Sequence, residues 1–376
     1  MADKNNTVVS KGVAKVFRYN AGIDAVVDGN TVQMAFLRDY KGEKQTMMEY
    51  TWFTKENGGL VKRGLSVSGH GEHGVPTLKE YEVYVALQRI FINKKTENGM
   101  CKLESEGYDD DYLSINFTIN ELAREMGYST PSSVTRSNLK KSIDVLLATT
   151  IFSIHEGGIY DIRNKKYVTN TKVGIHLIES MQSMDINDEI NYTQIKLSRF
   201  TYEQILNDYK LFYDLGKYNK TKNSMAKKIY HLALQWKGEN NFSYANINTL
   251  VERIPMVDIE PKYKKRDIKK ALKELNDKEI VKIKYDDDNP DKVYFIFKGE
   301  NKEAKKYKTY KDIQQRYYDM GFDMFETEKY LDIQDIRYIQ ALLRYVDSKK
   351  SVDNIKKYFL KCLENRIKIP DIYYGD

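Results

Sequence analysis

One order of helices and strands occurs twice along this chain of 376 residues, and that order limits the fold more than any single motif does. In the first copy, residues 77–182, apolar periodicity predicts helix, strand, helix, helix, strand, strand. The first helix begins with Thr77 and Glu80 at the spacing of a capping box. The predicted elements of this copy are the helix 77–92, the strand 113–119, the helix 121–127 capped by Asn120 and ended by Gly127, a helix from Thr130-Pro131 to 147, and the strands 151–158 and 159–168. A further strand is predicted at 172–181.

The second copy, residues 191–298, repeats this order loosely. Its most distinctive helix is 261–275, PKYKKRDIKKALKEL, which starts with a proline where the first turn tolerates one. Two short helices followed by a β-hairpin is the order of a winged helix, and the repetition strengthens that interpretation. The predicted elements are the strand 192–197, the helices 200–209, 222–236, 246–254 and 261–275, and two strands within 281–298 around the acidic turn Asp286, Asp287, Asp288, Asn289, Pro290 and Asp291.

The chain therefore reads as an α+β protein with two tandem winged-helix domains, a β-rich N-terminal extension and a helical C-terminal tail. Residues 15–68 are strand-like, including 30–37, and 47–54 and 60–68 are predicted to form a hairpin. Residues 93–111 read as a polar loop. We place the N-terminal extension at 1–75, with a loose leader at 1–14, the two winged-helix domains at 76–190 and 191–300, and the linker and tail at 301–376.

Composition favours a cytoplasmic protein without a metal or disulfide framework. The net charge of +7 is the difference between 61 basic and 54 acidic residues, so only local clustering of cations can indicate a nucleic-acid partner. Cys101 and Cys362 are far apart in sequence, and a reducing compartment is the expectation. We expect no membrane segment because no stretch approaches ~18 apolar residues.

In a winged helix the second helix of the helix-turn-helix enters the major groove. In the first domain this is the helix 131–147, whose small hydroxyls permit close approach and whose Arg136 can donate two hydrogen bonds to a guanine. The basic turn of the following hairpin is expected to reach phosphates. The candidate DNA-binding residues of this domain are Ser132, Ser133, Thr135, Arg136, Ser137, Lys140 and Lys141 on the helix, and Arg163, Lys165 and Lys166 on the turn.

In the second domain the corresponding helix is 261–275, whose cations are suited to phosphates and give affinity with little sequence choice. The turn that follows is acidic, so we do not expect it to touch DNA. A solvent-exposed charged face is the alternative interpretation of this helix. The candidate DNA-binding residues are Lys262, Lys264, Lys265, Arg266, Lys269 and Lys270.

Enzymatic chemistry has little support in the sequence, and we predict no catalytic residue, metal or cofactor. His70 and His73 flank a carboxylate, but they lie in a glycine-rich loop and lack the helical HExxH order of a metalloprotease site. A rolling-circle nickase would need two histidines on one face of a central strand. No phosphate-binding GxxxxGK[ST] loop occurs, so ATP hydrolysis is not expected.

Three segments resemble plasmid replication initiators of the RepA, or replication initiator protein A, class. They are GHGEHGVPTLKEYEVYVALQRI (69–90), FTINELAREMGYSTPSSVTRSNLKKSIDVLLATTI (117–151) and YFLKCLENRIKIPD (358–371). The resemblance implies tandem winged helices that bind repeated sites in double-stranded DNA at a plasmid or phage origin, open adjacent AT-rich DNA and recruit the host helicase. It also implies self-association as a dimer and contacts with host replication proteins.

Two alternatives stay open at this point. A winged-helix transcriptional regulator would use the same folds and the same helices. A rolling-circle-type nicking initiator would instead cut one strand and keep a covalent tyrosyl adduct.

Overall fold

The computed structural model describes residues 14–34, 36–38, 43–56, 59–169, 174–186, 190–238, 240–257, 259–297, 310–332, 336–349 and 352–374. The chain divides into two compact units. Unit 1 comprises Met1–Thr54, Val61–Gln235 and Ile247–Ile280, and unit 2 comprises Lys55–Leu60, Trp236–Asn246 and Val281–Asp376. The expected leader, 1–14, lies almost wholly outside the described residues. The four-part domain division predicted from the sequence stays a prediction.

The described elements mix helices with several small sheets, as expected for the fold class. The strands are β1 Ala14–Arg18, β2 Asp24–Asp28, β3 Met47–Glu56, β4 Gly59–Ser68, β5 Thr96–Glu97, β6 Met100–Glu104, β7 Ser114–Thr118, β8 Thr150–His155, β9 Ile159–Asp161, β10 Lys166–Val168, β11 Ile175–His176, β12 Ile178–Ile186, β13 Ile190–Leu197, β14 Lys210–Asp214, β15 Phe242–Asn246, β16 Lys282–Tyr285 and β17 Lys292–Ile296. The helices are α1 Gly29–Gln33, α2 Leu78–Lys94, α3 Ile119–Glu125, α4 Ser133–Ala148, α5 Arg199–Leu206, α6 Leu215–Asn219, α7 Ser224–Lys237, α8 Ile247–Arg253, α9 Pro261–Asp277, α10 Tyr310–Asp319, α11 Met324–Asp332, α12 Ile336–Asp347 and α13 Ile355–Glu364.

Two local predictions in the N-terminal half were wrong. Residues 30–37 were expected to be a strand, but Asp28 caps the short helix α1 by accepting hydrogen bonds from the backbone N–H groups of Asn30 and Thr31. The expected polar loop at 93–111 contains β5 and β6, because β6 pairs with β1 from the start of the described chain. The predicted hairpin of β3 and β4 is confirmed, and it forms a four-stranded sheet in the order β11-β8-β4-β3.

Two three-stranded sheets repeat the same order. In unit 1, β7 pairs with β13, and β13 pairs with β12. In unit 2, β15 pairs with β17, and β17 pairs with β16. In each case the strand that precedes a pair of helices lies beside the last strand of the hairpin that follows them.

The hairpin expected from strands 151–158 and 159–168 was wrong in its pairing. β8 pairs with β4 and β11, so it is not available to the strand after it. Residues 159–168 instead form a small two-stranded sheet of their own, from β9 and β10. The hairpin that joins the sheet of β7 is β12–β13, farther along the chain.

Helix α2 packs against β2, α3 and α4 in unit 1. The predicted capping box is confirmed: Glu80 accepts from the backbone N–H of Thr77 at 2.8 Å, and the Thr77 hydroxyl accepts from the backbone N–H of Lys79. The second oxygen of Glu80 accepts from Ser142 of α4 at 2.7 Å. The capping carboxylate therefore also fixes α4 against the start of α2.

Asn120 was expected to cap α3, but Thr118 takes that role by accepting from the backbone N–H of Glu121. Similarly, α4 begins after Ser132 and not at Thr130-Pro131. The helix predicted at 261–275 is confirmed as α9, with Pro261 in its first turn.

The core of unit 2 is formed by the C-terminal helices α10, α12 and α13 with the segment that follows them. Phe359, Leu342 and Tyr317 are buried in this cluster, and Phe242 of β15 belongs to it. The buried Arg344 donates to the backbone oxygens of Tyr373 and Tyr374 at 2.9 and 3.0 Å. The expected C-terminal helical tail is thus a packed group of helices, and Arg344 of α12 holds the described segment that follows α13.

Candidate nucleic-acid interface

Helix α4 presents a small, hydroxyl-rich N-terminus. The Ser132 side chain accepts from the backbone N–H of Thr135 at 3.1 Å, so it caps the helix. Its hydroxyl is also 2.9 Å from that of Thr135, which is half-buried. Both hydroxyls, predicted to contact DNA, are therefore engaged within the helix start. The residues of α4 that are exposed to solvent include Ser133, Ser137, Lys140 and Lys141.

The Arg136 side chain folds back onto the residues that precede α4. Its Nη1 donates to the backbone oxygen of Pro131 at 2.9 Å, and the residue is half-buried. A bidentate contact with a guanine would use the nitrogen atoms that this hydrogen bond partly occupies. Arg136 would therefore have to exchange this bond for one to a base.

The basic turn at 163–166 has a different setting from the one expected. It joins β9 and β10, outside the three-stranded sheet of β7. Arg163 forms an ion pair with Glu203 at 2.7 Å, whereas Lys165 and Lys166 are exposed. The structure thus separates these three residues from the hairpin that corresponds in order to β16–β17.

Helix α9 carries an exposed cationic face along most of its length. Its apolar face is fully buried through residues such as Ile268 and Leu272. Lys264 and Lys265, both predicted to contact DNA, are half-buried and so contribute less to the exposed face. The exposed cations of the helix are Lys262, Arg266, Lys269, Lys270 and Lys273, and the exposed Lys278 follows its last residue.

An N-terminal segment of unit 1 anchors α9 and α8. Asp267, 8% exposed, accepts from Arg38 Nη1 at 2.5 Å. The backbone N–H of Arg38 donates to the carbonyl of Pro255, in the turn between α8 and α9. The Tyr50 hydroxyl of β3 donates to the carbonyl of Glu252 in α8. The single acidic residue within the cationic stretch therefore pairs with Arg38 through one carboxylate oxygen and, through the other, with Arg266, whose Nη2 lies 3.2 Å from Oδ1. One exposed cation of α9 is thus already paired.

Acidic residues occur in the sequences that link β12 to β13 and β16 to β17. Asp286 accepts from the backbone N–H groups of Asp288 and Asn289, both at 3.1 Å, and from the Tyr294 hydroxyl at 3.0 Å. Burial raises the pKa of the Asp286 carboxyl, but hydrogen bonds from Tyr294 and Lys292 outweigh burial and hold the pKa below its usual range. The linking residues of the first hairpin, 187–189, have the sequence Asn-Asp-Glu and lie outside the described residues.

Two exposed residues on these helices were missed by the sequence reasoning. Val134 of α4 is 66% exposed, and an apolar side chain there can contact a thymine methyl group. Tyr263 of α9 is exposed, with the Lys262 and Arg266 cationic groups each 4.8 Å from its ring centroid. A helical projection could have found Val134, because it lies off the buried stripe of α4.

The histidine loop offers little to a metal. His70 Nδ1 accepts from the backbone N–H groups of Glu72 and His73 at 3.1 and 3.2 Å, which removes one ligand nitrogen. Across the described ranges, no group of three or more histidine, cysteine or acidic side chains is placed to hold a metal ion. Among the described helices, none combines the length and apolarity that crossing a bilayer requires.

Comparisons with known proteins find similarity to solved structures. No protein-family model matches the sequence, and no curated protein matches it significantly. A crystal structure of RctB domains 2-3 (RctB-155-483) aligns with a TM-score of 0.44 and 11% identity, over 71% of this chain and 96% of that one. A selenomethionine derivative of domains 2 and 3 of RctB aligns with a TM-score of 0.49 and 10% identity, over 73% of this chain and 100% of that one.

Proposed function

We propose that this protein is a double-stranded DNA-binding replication initiator with two winged-helix domains. The observation that carries the proposal is the repeated topology. Each copy runs from a strand through two helices to a hairpin, which follows the helices directly in the second copy and after β8–β11 in the first. In each copy the first strand pairs with the last strand of the hairpin. In a winged helix this arrangement presents the second helix of the pair to the major groove, and here those helices are α4 and α9.

The two helices would have different tasks. The exposed cations of α9 suit phosphate contacts, which supply affinity without sequence information. The hydroxyls, Val134 and the two lysines exposed on α4 suit base edges, where small polar and apolar groups discriminate. We therefore revise the predicted interface toward Ser133, Val134, Ser137, Lys140 and Lys141 on α4, and toward Lys262, Arg266, Lys269, Lys270 and Lys273 on α9.

Neither hairpin is assigned a contact with DNA. The turn at 286–291 is acidic and the linking residues 187–189 include two acids, so a phosphate backbone would repel both. Lys165 and Lys166 keep their assignment as accessory phosphate contacts, since they are exposed.

The initiator role rests on the resemblance of 69–90, 117–151 and 358–371 to plasmid initiators. We propose that the protein acts in the cytoplasm, binds repeated origin sites of a plasmid or phage, and performs no covalent step. Self-association and recruitment of host replication proteins belong to the same proposal.

A salt titration tests the DNA contact of α9. Each phosphate neutralised contributes about 0.9 to the slope of log affinity against log salt. Replacing Lys269, Lys270 and Lys273 together with Gln should therefore lower the slope by up to about 2.7, three times that value. Binding would be measured by fluorescence anisotropy on a duplex taken from the DNA that flanks the gene.

The matched control removes the same charge from unit 2. Lys329, Lys357 and Lys361 are exposed on α11 and α13, and their change to Gln should leave the slope unaltered. An equal loss of slope in both triple variants would mean that only net charge matters. An unchanged slope in the α9 variant would remove that helix from the interface.

A further inference from the structure

The short loop 219–223, which includes Asn219 at the end of α6, contacts both helix pairs of unit 1, α3–α4 and α8–α9. It connects α6 to α7. On one side Lys222 Nζ donates to the backbone oxygen of Gly127 at 3.0 Å, in the turn between α3 and α4. On the other side Thr221 and Asn223 donate to the carboxylate of Glu274 in α9.

The contact with the α3–α4 turn is close. Gly127 has φ +83°, a left-handed conformation that favours glycine. A Cβ atom at this position would lie 3.3 Å from Asn219 Cγ and 3.4 Å from Lys222 Nζ. The loop therefore packs directly on the turn that sets the direction of α4.

The contact with α9 is charge-assisted. Thr221 Oγ1 lies 2.5 Å from Glu274 Oε1, and Asn223 Nδ2 lies 3.0 Å from Oε2. Burial raises the pKa of the Glu274 carboxyl, but hydrogen bonds from Lys278, Thr221 and Asn223 outweigh burial and hold the pKa below its usual range. The carboxylate is thus ionised at neutral pH, and hydrogen bonds to an ionised group are stronger than neutral ones.

The loop itself has little freedom. Asn223 Oδ1 accepts from the backbone N–H groups of Met225 and Ala226 at 3.1 and 3.3 Å, at the start of α7. Thr221 is 1% exposed, and its hydroxyl oxygen accepts from the backbone N–H of Asn223. The loop is therefore held to the first turn of α7 and by a hydrogen bond of its own.

We propose that loop 219–223 is a brace that fixes α4 and α9 relative to each other, so that the protein accepts duplex DNA carrying two recognition elements at one spacing only. Its consequence for DNA rests on the proposed function. One added base pair moves the second element by about 3.4 Å along the duplex and rotates it by about 35°. A braced pair of helices cannot follow that displacement.

The brace can be measured without DNA. Spin labels at Ser137→Cys on α4 and Lys270→Cys on α9 report the distance between the two helices by pulsed electron–electron double resonance. Both positions are exposed, whereas the natural Cys101 and Cys362 are buried and should stay unlabelled. We expect one narrow distance in the parent protein. Glu274→Ala and Thr221→Val, which remove opposite ends of one hydrogen bond, should each replace it by a broad distribution.

Lys278→Met provides the control. It removes the 2.8 Å pair between Lys278 and Glu274 but leaves both loop contacts, so the narrow distance should persist. Two variants on different elements keep the test valid if one of them folds poorly. A narrow, unshifted distance in both brace variants would overturn the proposal.

The DNA consequence is tested by selection from a random duplex library. The parent protein should enrich two elements at one spacing. Glu274→Ala should also enrich neighbouring spacings, with the preference for the best spacing reduced about tenfold, which corresponds to 1.4 kcal/mol. If the parent enriches no sequence, the DNA-binding proposal fails while the distance measurement still decides on the brace. If parent and variant enrich the same single spacing, the brace does not set spacing.

Discussion

The ion pair between Arg89 of α2 and Glu125 of α3 predicts an unequal response to removing either partner. Arg89 donates to Glu125 Oε2 from Nε at 3.2 Å and from Nη2 at 2.8 Å, and it also donates to the Glu125 backbone oxygen. The side chain of Arg89 is 1% exposed and that of Glu125 is 24% exposed. Water can therefore reach the carboxylate but not the guanidinium.

The cost of each substitution follows from what it leaves behind. Glu125→Ala leaves a buried guanidinium without a counter-charge, and breaking a buried pair in this way costs about 3–5 kcal/mol. The backbone oxygen stays as a partner, which favours the lower end, about 3 kcal/mol. Arg89→Met fills much of the same volume and leaves a carboxylate that can hydrate, so the expected cost is about 1–2 kcal/mol. The double variant should be about as stable as Arg89→Met alone.

Urea unfolding can isolate unit 1 because the two tryptophans belong to different units. Trp52 is 2% exposed in unit 1, and Trp236 belongs to unit 2. In a Trp236→Phe background, Trp52 fluorescence reports the unfolding of unit 1, and the difference in free energy between variants is read at constant m-value. If Glu125→Ala costs no more than Arg89→Met, the argument from unequal burial is wrong.

Two further predictions concern buried cationic or titratable groups. Burial, together with nearby cations, lowers the pKa of His231 well below its usual value, and its Nδ1 lies 2.6 Å from the Tyr81 hydroxyl. The unfolded chain binds a proton at this histidine more readily than the folded chain does. The contribution of neutral His231 to the free energy of unfolding is therefore fully present above about pH 6.5, and below that pH the free energy of unfolding falls by up to about 1.4 kcal/mol per pH unit. His231→Gln should flatten this acid dependence of unit 1, measured by urea unfolding between pH 7 and pH 5. Arg344→Met should destabilise unit 2 by about 2–4 kcal/mol, since two charge-assisted bonds to the backbone of Tyr373 and Tyr374 are lost, and Trp236 fluorescence in a Trp52→Phe background would measure it.

The elements that the sequence predicted well are those fixed by local chemistry. Helix α9 follows from a proline in its first turn and four apolar residues at helical spacing, and α2 follows from its capping box. The hairpins β3–β4 and β16–β17 follow from short polar turns between apolar runs. None of these requires knowledge of a distant partner.

Strand pairing needed information that local patterns do not contain. The strand 151–158 was recognised, but β4 lies about ninety residues earlier and pairs with it, so the expected hairpin could not form. The strand β13 pairs with β7 across about eighty residues. Choosing between such partners depends on the packing of the whole unit.

Charge was also an unreliable guide to the surface. Lys227 and Lys228 are adjacent on an amphipathic helix and would ordinarily face water, yet they are 2% and 1% exposed. Lys228 Nζ donates to the backbone oxygens of Thr31 and Met34, both at 3.1 Å, and it lies 4.0 Å from the ring centroid of Tyr81. The sequence could not show that the carbonyls at the end of α1 would be its partners. The same limit applies to Lys264 and Lys265, which were counted as exposed cations.

The division of work proposed for α4 and α9 makes sense only if the two helices are coupled. A cationic helix that binds any phosphate does not by itself select a site, because it binds neighbouring sequence equally well. If α9 were flexibly attached, its contacts would raise the local concentration of α4 over many registers at once. Fixed through Glu274 and the loop 219–223, the same contacts favour only the register in which α4 also meets its bases. The phosphate contacts of α9 then strengthen binding in the correct register but not in neighbouring registers. A helix that contacts no bases can therefore still increase the selectivity of the protein.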